Sequence, residues 1–283
     1  MLGLAAVLVL GLFLCGCTQA PADVNVNPDP TATAGIQSIT VTGSTTVLPI
    51  AQGAAESYMD THSTADIKVS GGGSGVGIQA IGEGTADIGM SSRELSADEM
   101  AKYPDLQVTR IADDGIAVIV NPSNTVNSLS LSQIKDIYQA KITNWKEVGG
   151  PDQQIVLTGR DSASGTRSFF TEMVLKKENA APTMLEKNSN GAVTQTVAQT
   201  PGAIGYVSIG YLDETVKGLD LQVNGNAITP TIANVKNGQY PISRPLIMIT
   251  RGTPQGLAKS YLDFIISPAG QKIVADEGYV TLN

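Results

Sequence analysis

Cysteine, histidine and aromatic side chains are scarce in this chain: two cysteines, one histidine and 5% aromatics among 283 residues. Both cysteines fall in Leu14-Cys15-Gly16-Cys17, so everything after them holds neither a disulfide nor a thiolate metal site. The single histidine, His62, stands in the polar stretch Asp60-Thr61-His62-Ser63-Thr64, which excludes a His-rich metal centre and gives a serine hydrolase no convincing base. Basic residues are outnumbered by acidic ones, 18 to 26, for a formal net charge of −8. That balance argues against nucleic acid or an acidic membrane surface as partner. An anionic ligand would have to be held by local donors against the field of the whole protein.

Two further motifs are incomplete. The Gly-rich turns lack the Gly-Lys-Ser/Thr ending of an NTPase loop, and Gly73-Ser74-Gly75 lacks the spacing of a nucleophile elbow. Ser132-Gln133-Ile134-Lys135 has Ser-x-x-Lys spacing but lies in an amphipathic stretch without companion motifs, and chance accounts for it.

What is present begins with Leu2 to Leu14, an uninterrupted apolar run of the size of a signal-peptide core and short for a membrane span. It ends in a sequence resembling a lipobox, with Cys17 as the lipidated residue, although no Lys or Arg precedes the run. A signal peptide is expected over 1–16. Residues 17–35, rich in Pro, Thr, Ala and Asn, read as a disordered tether.

From Ile36 onward, strand-like and helix-like segments alternate. Strands are expected at Ser38 to Thr42, Ile67 to Ser70, Ala86 to Met90, Val108 to Ala112, Gly115 to Asn121, Ile155 to Gly159, Ala203 to Val207 and Leu246 to Thr250. Helices are expected at Val47 to Met59, Gly77 to Glu83, Ser130 to Gln139, Ser168 to Leu175, Asn190 to Thr200, Pro254 to Ile266 and Pro268 to Glu277. The alternation predicts an α/β fold with a largely parallel sheet, and the length suits two domains.

Three Gly/Ser/Thr turns have the chemistry of an anion cradle. In Gly159-Arg160-Asp161-Ser162-Ala163-Ser164-Gly165-Thr166-Arg167, a guanidinium and hydroxyls precede a helix whose first N–H groups are unpaired and carry partial positive charge. Arg160 offers a two-pronged charged hydrogen bond, and Ser164, Gly165 and Thr166 add hydroxyl and N–H donors. Thr45 and Thr46 lie at a strand-to-helix turn, where plain N-capping is the competing explanation. Ser74 follows three glycines and precedes a helix; a surface loop is its competing explanation.

Six segments in order carry a family resemblance. They are Thr42-Gly43-Ser44-Thr45-Thr46-Val47-Leu48-Pro49, Gly71-Gly72-Gly73-Ser74-Gly75, and Thr85-Ala86-Asp87-Ile88-Gly89-Met90-Ser91-Ser92-Arg93. Ile137-Tyr138-Gln139-Ala140-Lys141-Ile142-Thr143-Asn144-Trp145, Arg160 to Thr166, and Tyr240-Pro241-Ile242-Ser243-Arg244-Pro245-Leu246 complete the set. The chain resembles the PstS-like phosphate-binding proteins of ABC uptake systems, from about Thr40 to its end.

The resemblance implies a two-lobed Venus flytrap fold of the periplasmic-binding-protein class with a ligand cleft between lobes. By analogy, the chain crosses near Ala117-Val120 and near Arg244-Leu246, giving a discontinuous lobe 1 (36–117 plus 246–283) and a lobe 2 (118–245). It also implies inorganic phosphate as ligand, an ABC permease as partner, no enzymatic activity, no cofactor or metal, a monomer, and an extracytoplasmic position set by a lipid on Cys17. Thr45 would bind through its hydroxyl, Thr46 through its backbone and Ser74 through its hydroxyl, with Arg160, Ser164, Gly165 and Thr166 as the second wall. Ser92 departs from the pattern, because family members carry there an aspartate that accepts the proton of hydrogen phosphate and rejects sulfate.

With a serine at 92, sulfate, molybdate or tungstate become alternative ligands, and Asp161 or Asp114 alternative acceptors. Asp161 can equally orient Arg160, and Arg93 can face the cleft or the surface. A phosphatase-like or adhesive surface protein on the same fold is the more distant alternative.

Overall fold

The computed structural model describes residues 35–282; the signal-peptide expectation, Cys17 and the tether before Gly35 lie outside the described residues. In β1 (Gln37–Gly43), Ile39 and Val41 are buried and Ser38 and Thr40 exposed, the period-two pattern of a half-buried strand. Helix α1 (Leu48–Thr61), with Pro49 in its first turn, buries Ile50, Ala51, Ala54, Ala55 and Tyr58 along one stripe. β2 (Ala65–Gly71), α2 (Ser74–Glu83) and β3 (Ile88–Ser91) follow. Helix α3 (Ala97–Lys102), not foreseen, is short and is held by a Ser96/Glu99 capping box.

The long strand β4 (Leu106–Val120) replaces the two expected over Val108 to Ala112 and Gly115 to Asn121. The polar pair between them reads as a break in sequence but is fully provided for in the fold. Asp113 pairs with Arg110 and bridges to Val280, while Asp114 pairs with Arg244.

Then come β5 (Ser128–Ser130), α4 (Leu131–Tyr138), β6 (Val156–Arg160), α5 (Gly165–Met173), β7 (Leu185–Lys187), α6 (Asn190–Gln199) and β8 (Ala203–Ser208). The short strands β9 (Lys217–Gly218), β10 (Asp220–Val223) and β11 (Asn226–Ile228) lead through α7 (Ile232–Lys236) to β12 (Ser243–Arg251). Helices α8 (Gly256–Ile266) and α9 (Pro268–Asp276) close the described chain.

The main sheet runs β2-β1-β3-β12-β4-β8-β6-β7, with β9 also on β4, and β11-β10-β5 form a small second sheet. It is mixed, which corrects the expectation of a largely parallel sheet. β1 is parallel to β2 and β3, and β6 is parallel to β7 and β8. In the middle, β12 is antiparallel to β3 and β4, and β4 to β8. Helical crossovers favour parallel neighbours within each group. The central strands instead run between the groups, one outward and one back, and therefore lie antiparallel.

Two large buried clusters flank this centre. One contains Val41, Ile50, Ile111, Leu246, Tyr261 and Val274; the other contains Ile116, Ile134, Trp145, Phe170, Val193 and Ile242. β4 serves both, pairing with β12 up to Gly115 and with β8 from Ile116 onward.

Candidate functional site

The local geometry at each turn follows from glycine. At the end of β1, Gly43 has φ +137°, and a Cβ there would lie 2.3 Å from the Met90 carbonyl oxygen. The chain can thus turn sharply through Ser44, Thr45 and Thr46. The Thr46 N–H donates to the Ser44 hydroxyl, and the N-cap residue of α1 is Val47, with no side-chain cap bond. Neither threonine hydroxyl is therefore spent on capping. Ser74 is the first residue of α2 and fully buried, so it is no surface loop; its Oγ receives the Ser92 N–H at 3.0 Å. Helix α5 starts at Gly165 rather than Ser168, because the Ser164 hydroxyl caps it by accepting the Arg167 N–H. Gly165 and Thr166 thus occupy the first turn, where N–H groups have no helical acceptor.

The eight residues expected at the site come together. Arg160 Nη2 donates to Thr45 Oγ1 at 3.2 Å, and the hydroxyls of Thr46 and Thr166 lie 3.2 Å apart. Ser74 Oγ lies 3.3 Å from Ser92 Oγ, and a Cβ on Gly165 would fall 2.2 Å from Ser74 Oγ. Thr45, Thr46, Ser74 and Ser92 stand beside the first core; Arg160, Ser164, Gly165 and Thr166 stand beside the second. All of the side chains involved are buried.

Further residues join them that sequence reasoning did not assign as site residues. Arg244, at the start of β12, reaches Thr46 Oγ1 at 3.3 Å and Thr166 Oγ1 at 3.0 Å through Nη2. It pairs through Nε and Nη2 with Asp114 Oδ2, both side chains being wholly buried. Asp114 Oδ1 accepts from the Ser208 hydroxyl. Asn190, the first residue of α6, donates to Thr46 Oγ1 at 3.0 Å and accepts the Ser208 N–H. Tyr211 and Tyr279 hold the turn from behind through the carbonyls of Thr45 and Thr46. Arg244 lies in the Tyr240 to Leu246 segment, where the sequence points to a chain crossing and not to a ligand contact.

Arg93 faces away from this cluster in its bonding: it makes two bonds of 2.7 Å to Glu99. Asp161 does not hydrogen-bond Arg160, whose Nε and Nη2 go to the carbonyls of Lys187 and Asn188. Neither oxygen of Asp114 is free of donors, while Asp161 Oδ1 is buried without one. His62 stacks on Tyr58, elsewhere in the first core region. Among the described residues, no group of three or more His, Cys, Asp or Glu is placed to hold a metal, and no helix is long and apolar enough to cross a membrane.

Burial pulls the Arg160 guanidinium down from its ordinary value, opposed by Asp161 and reinforced by the like charge of Arg244. Burial pushes the Asp114 carboxyl up, against the charge of Arg244 and the bonds from Ser208 and Arg244 that favour ionisation. The Tyr211 hydroxyl is pushed up to about 12 by burial, so it remains a donor at neutral pH. Two guanidinium nitrogens, Arg160 Nη1 and Arg244 Nη1, are buried with no acceptor. Buried donors of this kind are rare in native proteins and call for an acceptor from a ligand or ordered water. Chemically, the arrangement is a set of hydroxyl, amide and guanidinium donors converging between two cores, suited to a small oxyanion.

A family model described as a PBP superfamily domain matches residues 28–269, and the fold and cleft are those of that class of binding proteins. A phosphate ABC transporter substrate-binding protein from Clostridium perfringens, solved with bound phosphate, superposes with TM-score 0.82 at 37% identity, covering 87% of this chain and 100% of that one. An ABC-type phosphate transport receptor from Vibrio cholerae superposes with TM-score 0.71 at 34% identity, over 87% and 100% of the two chains. The phosphate-binding protein PstS of Bacillus subtilis is 39% identical over 245 residues, 86% of this chain and 80% of the relative. Within the superfamily, the chain belongs to the PstS phosphate-binding protein family.

Proposed function

We propose that the protein is an extracytoplasmic solute-binding lipoprotein that captures inorganic phosphate, as hydrogen phosphate, and delivers it to an ABC permease. It makes and breaks no bonds. It works as a monomer with two lobes, 36–117 plus 246–283 and 118–245, and a lipid on Cys17 anchors it to the outer face of the cytoplasmic membrane.

The observation that carries this reading is the convergence of donors from both cores on one point, with a buried Arg160 nitrogen left unpaired. An anion taken out of water loses its hydration and must recover it as hydrogen bonds. Thr45, Thr46, Ser74 and Ser92 on one wall and Arg160, Ser164, Gly165 and Thr166 on the other supply them. Closure of the walls about the strands near Gly115 would bury the ligand, and the closed form is what a permease would recognise.

Ser92 Oγ serves as acceptor for the ligand's proton in place of a carboxylate. A hydroxyl accepts as well as donates, so the rejection of a fully ionised oxyanion is weaker than a carboxylate would make it. The test is calorimetric titration of the full chain, freed of carried-over anion by dialysis, with phosphate in the presence and absence of excess sulfate. Tight one-to-one phosphate binding is expected. Failure to bind phosphate, with binding of sulfate or molybdate, would overturn the ligand assignment.

A further inference from the structure

Arg244 is more than half of a structural ion pair. Its guanidinium has five N–H donors, and the bonds made by Nε and Nη2 leave both N–H groups of Nη1 unused in a fully buried position. An arginine serving only to neutralise Asp114 would have no reason to extend beyond the carboxylate. Arg244 does extend: Nη2 lies within hydrogen-bond reach of both Thr46 Oγ1 and Thr166 Oγ1, hydroxyls contributed by opposite walls. Its head therefore sits where the two walls meet.

The charge count agrees. Arg160 and Arg244 are close enough for each charge to oppose the other, while the Asp114 carboxylate is already bonded by Arg244 and Ser208. Arg160 bonds only carbonyls, a threonine hydroxyl and no carboxylate. Asp161 opposes that charge without bonding to it, so both heads keep a buried Nη1 that an anion supplied from outside would satisfy.

We infer that Arg244 is a second ligand-binding arginine, whose Nη1 donates to the oxyanion alongside Arg160 Nη1 and which Asp114 and Ser208 hold in aim. The inference rests on the reading of the cleft as a phosphate site. It assigns to the strand β12 a direct part in ligand capture in addition to its part in joining the two halves. Because Nη2 touches both walls, ligand contact through the same head couples capture to closure.

The experiment compares the full-length wild type with Arg244→Lys and with the double variant Asp114→Asn/Arg244→Gln, by calorimetry with inorganic phosphate and by melting in anion-free buffer. Lysine keeps a positive charge beside Asp114 but loses the planar fork. The double variant removes both charges and leaves no unpaired carboxylate. Both are expected to bind phosphate at least tenfold more weakly than wild type, and the rise in melting temperature that phosphate gives the wild type should shrink in both. Undiminished affinity in either folded variant overturns the part assigned to Arg244 alone, whereas a wild type that binds no phosphate overturns the functional reading together with this inference. A crystal structure of the wild-type phosphate complex decides the matter without any substitution. Arg244 Nη1 within about 3.2 Å of a phosphate oxygen supports the inference, and a separation beyond about 3.5 Å overturns it.

Discussion

The backbone N–H of Gly75 donates to the carbonyl oxygen of Ala163 at 3.0 Å, joining the turn that opens α2 to the turn that opens α5. A Cβ on neighbouring Gly73 would lie 2.6 Å from the same oxygen, at a φ of +99° that already favours glycine. The walls of the cleft thus meet main chain to main chain. Ser74 stands between Gly73 and Gly75 on one side of that contact, and Gly165 and Thr166 follow Ala163 closely on the other.

Gly165→Ala should impair ligand binding. The added methyl would fall 2.2 Å from Ser74 Oγ and 2.9 Å from Ser92 Oγ, both on the opposite wall. The expected result is a phosphate affinity reduced at least tenfold in a variant that still shows a cooperative anion-free melting transition. Equal affinity would show that the walls separate enough to admit the methyl when ligand is bound.

Arg160→Ala should weaken phosphate binding at least tenfold. A hydrogen bond to a charged group contributes about 1.5–3 kcal/mol, and every 1.4 kcal/mol is tenfold. Its partner atoms are two backbone carbonyls and a threonine hydroxyl, and Asp161 acts on it without a bond, so its removal breaks no hydrogen-bonded ion pair. Calorimetry reads the loss; an unchanged dissociation constant would remove Arg160 from the binding surface.

Acid should selectively weaken the corner around α3. Burial opposes ionisation of Glu99, but the bonds from Arg93 and the Ser96 N–H outweigh it and hold the carboxyl below its ordinary value. A lowered value in the folded state adds stability that is present above the unfolded value and is lost as pH falls through the folded one. Glu99→Gln should therefore melt below wild type at pH 7, and the two melting curves should converge toward pH 3. A gap independent of pH would mean that packing, not charge, holds this corner.

Cys17→Ala should abolish lipid labelling and release the protein from the membrane fraction. Incorporation of labelled palmitate in growing cells checks the first, and fractionation the second. Retention in the membrane with no label on wild type would show that the anchor lies elsewhere.

Much of the cleft was legible in the sequence because its chemistry is local. Gly43 with Thr45 and Thr46, Gly73 with Ser74, and Ser164 with Gly165 and Thr166 each combine a turn and its donors within a few residues. The strand and helix alternation likewise exposed the α/β fold. Arg244 and Asn190 were harder to assign, since what makes them site residues is contact with Thr46, at sequence separations of 198 and 144. Sequence alone offers Asp114 as a proton acceptor, and its engagement with Arg244 depends on the pairing of β4 with β12. The Asp113-Asp114 pair concealed the continuity of β4 for the same reason. The small sheet of β5, β10 and β11 escaped notice because strands of three or four residues leave almost no period to detect.

β4 also makes the cleft sensitive to chain length. Side chains alternate faces along a strand, so one residue inserted between Gly115 and Ile116 would turn each of the buried Ile116, Ala117, Val118, Ile119 and Val120 toward the face its neighbour had occupied. The β12 pairing before the insertion and the β8 pairing after it would be half a strand period out of step unless a bulge absorbed the extra residue, as the register shift opposite Leu246 and Ile247 already does in β4. A one-residue deletion at this point has the same effect. The odd-or-even spacing between the last β12-paired residue and the first β8-paired one is therefore a requirement on the gene that acts without touching any donor in the cleft.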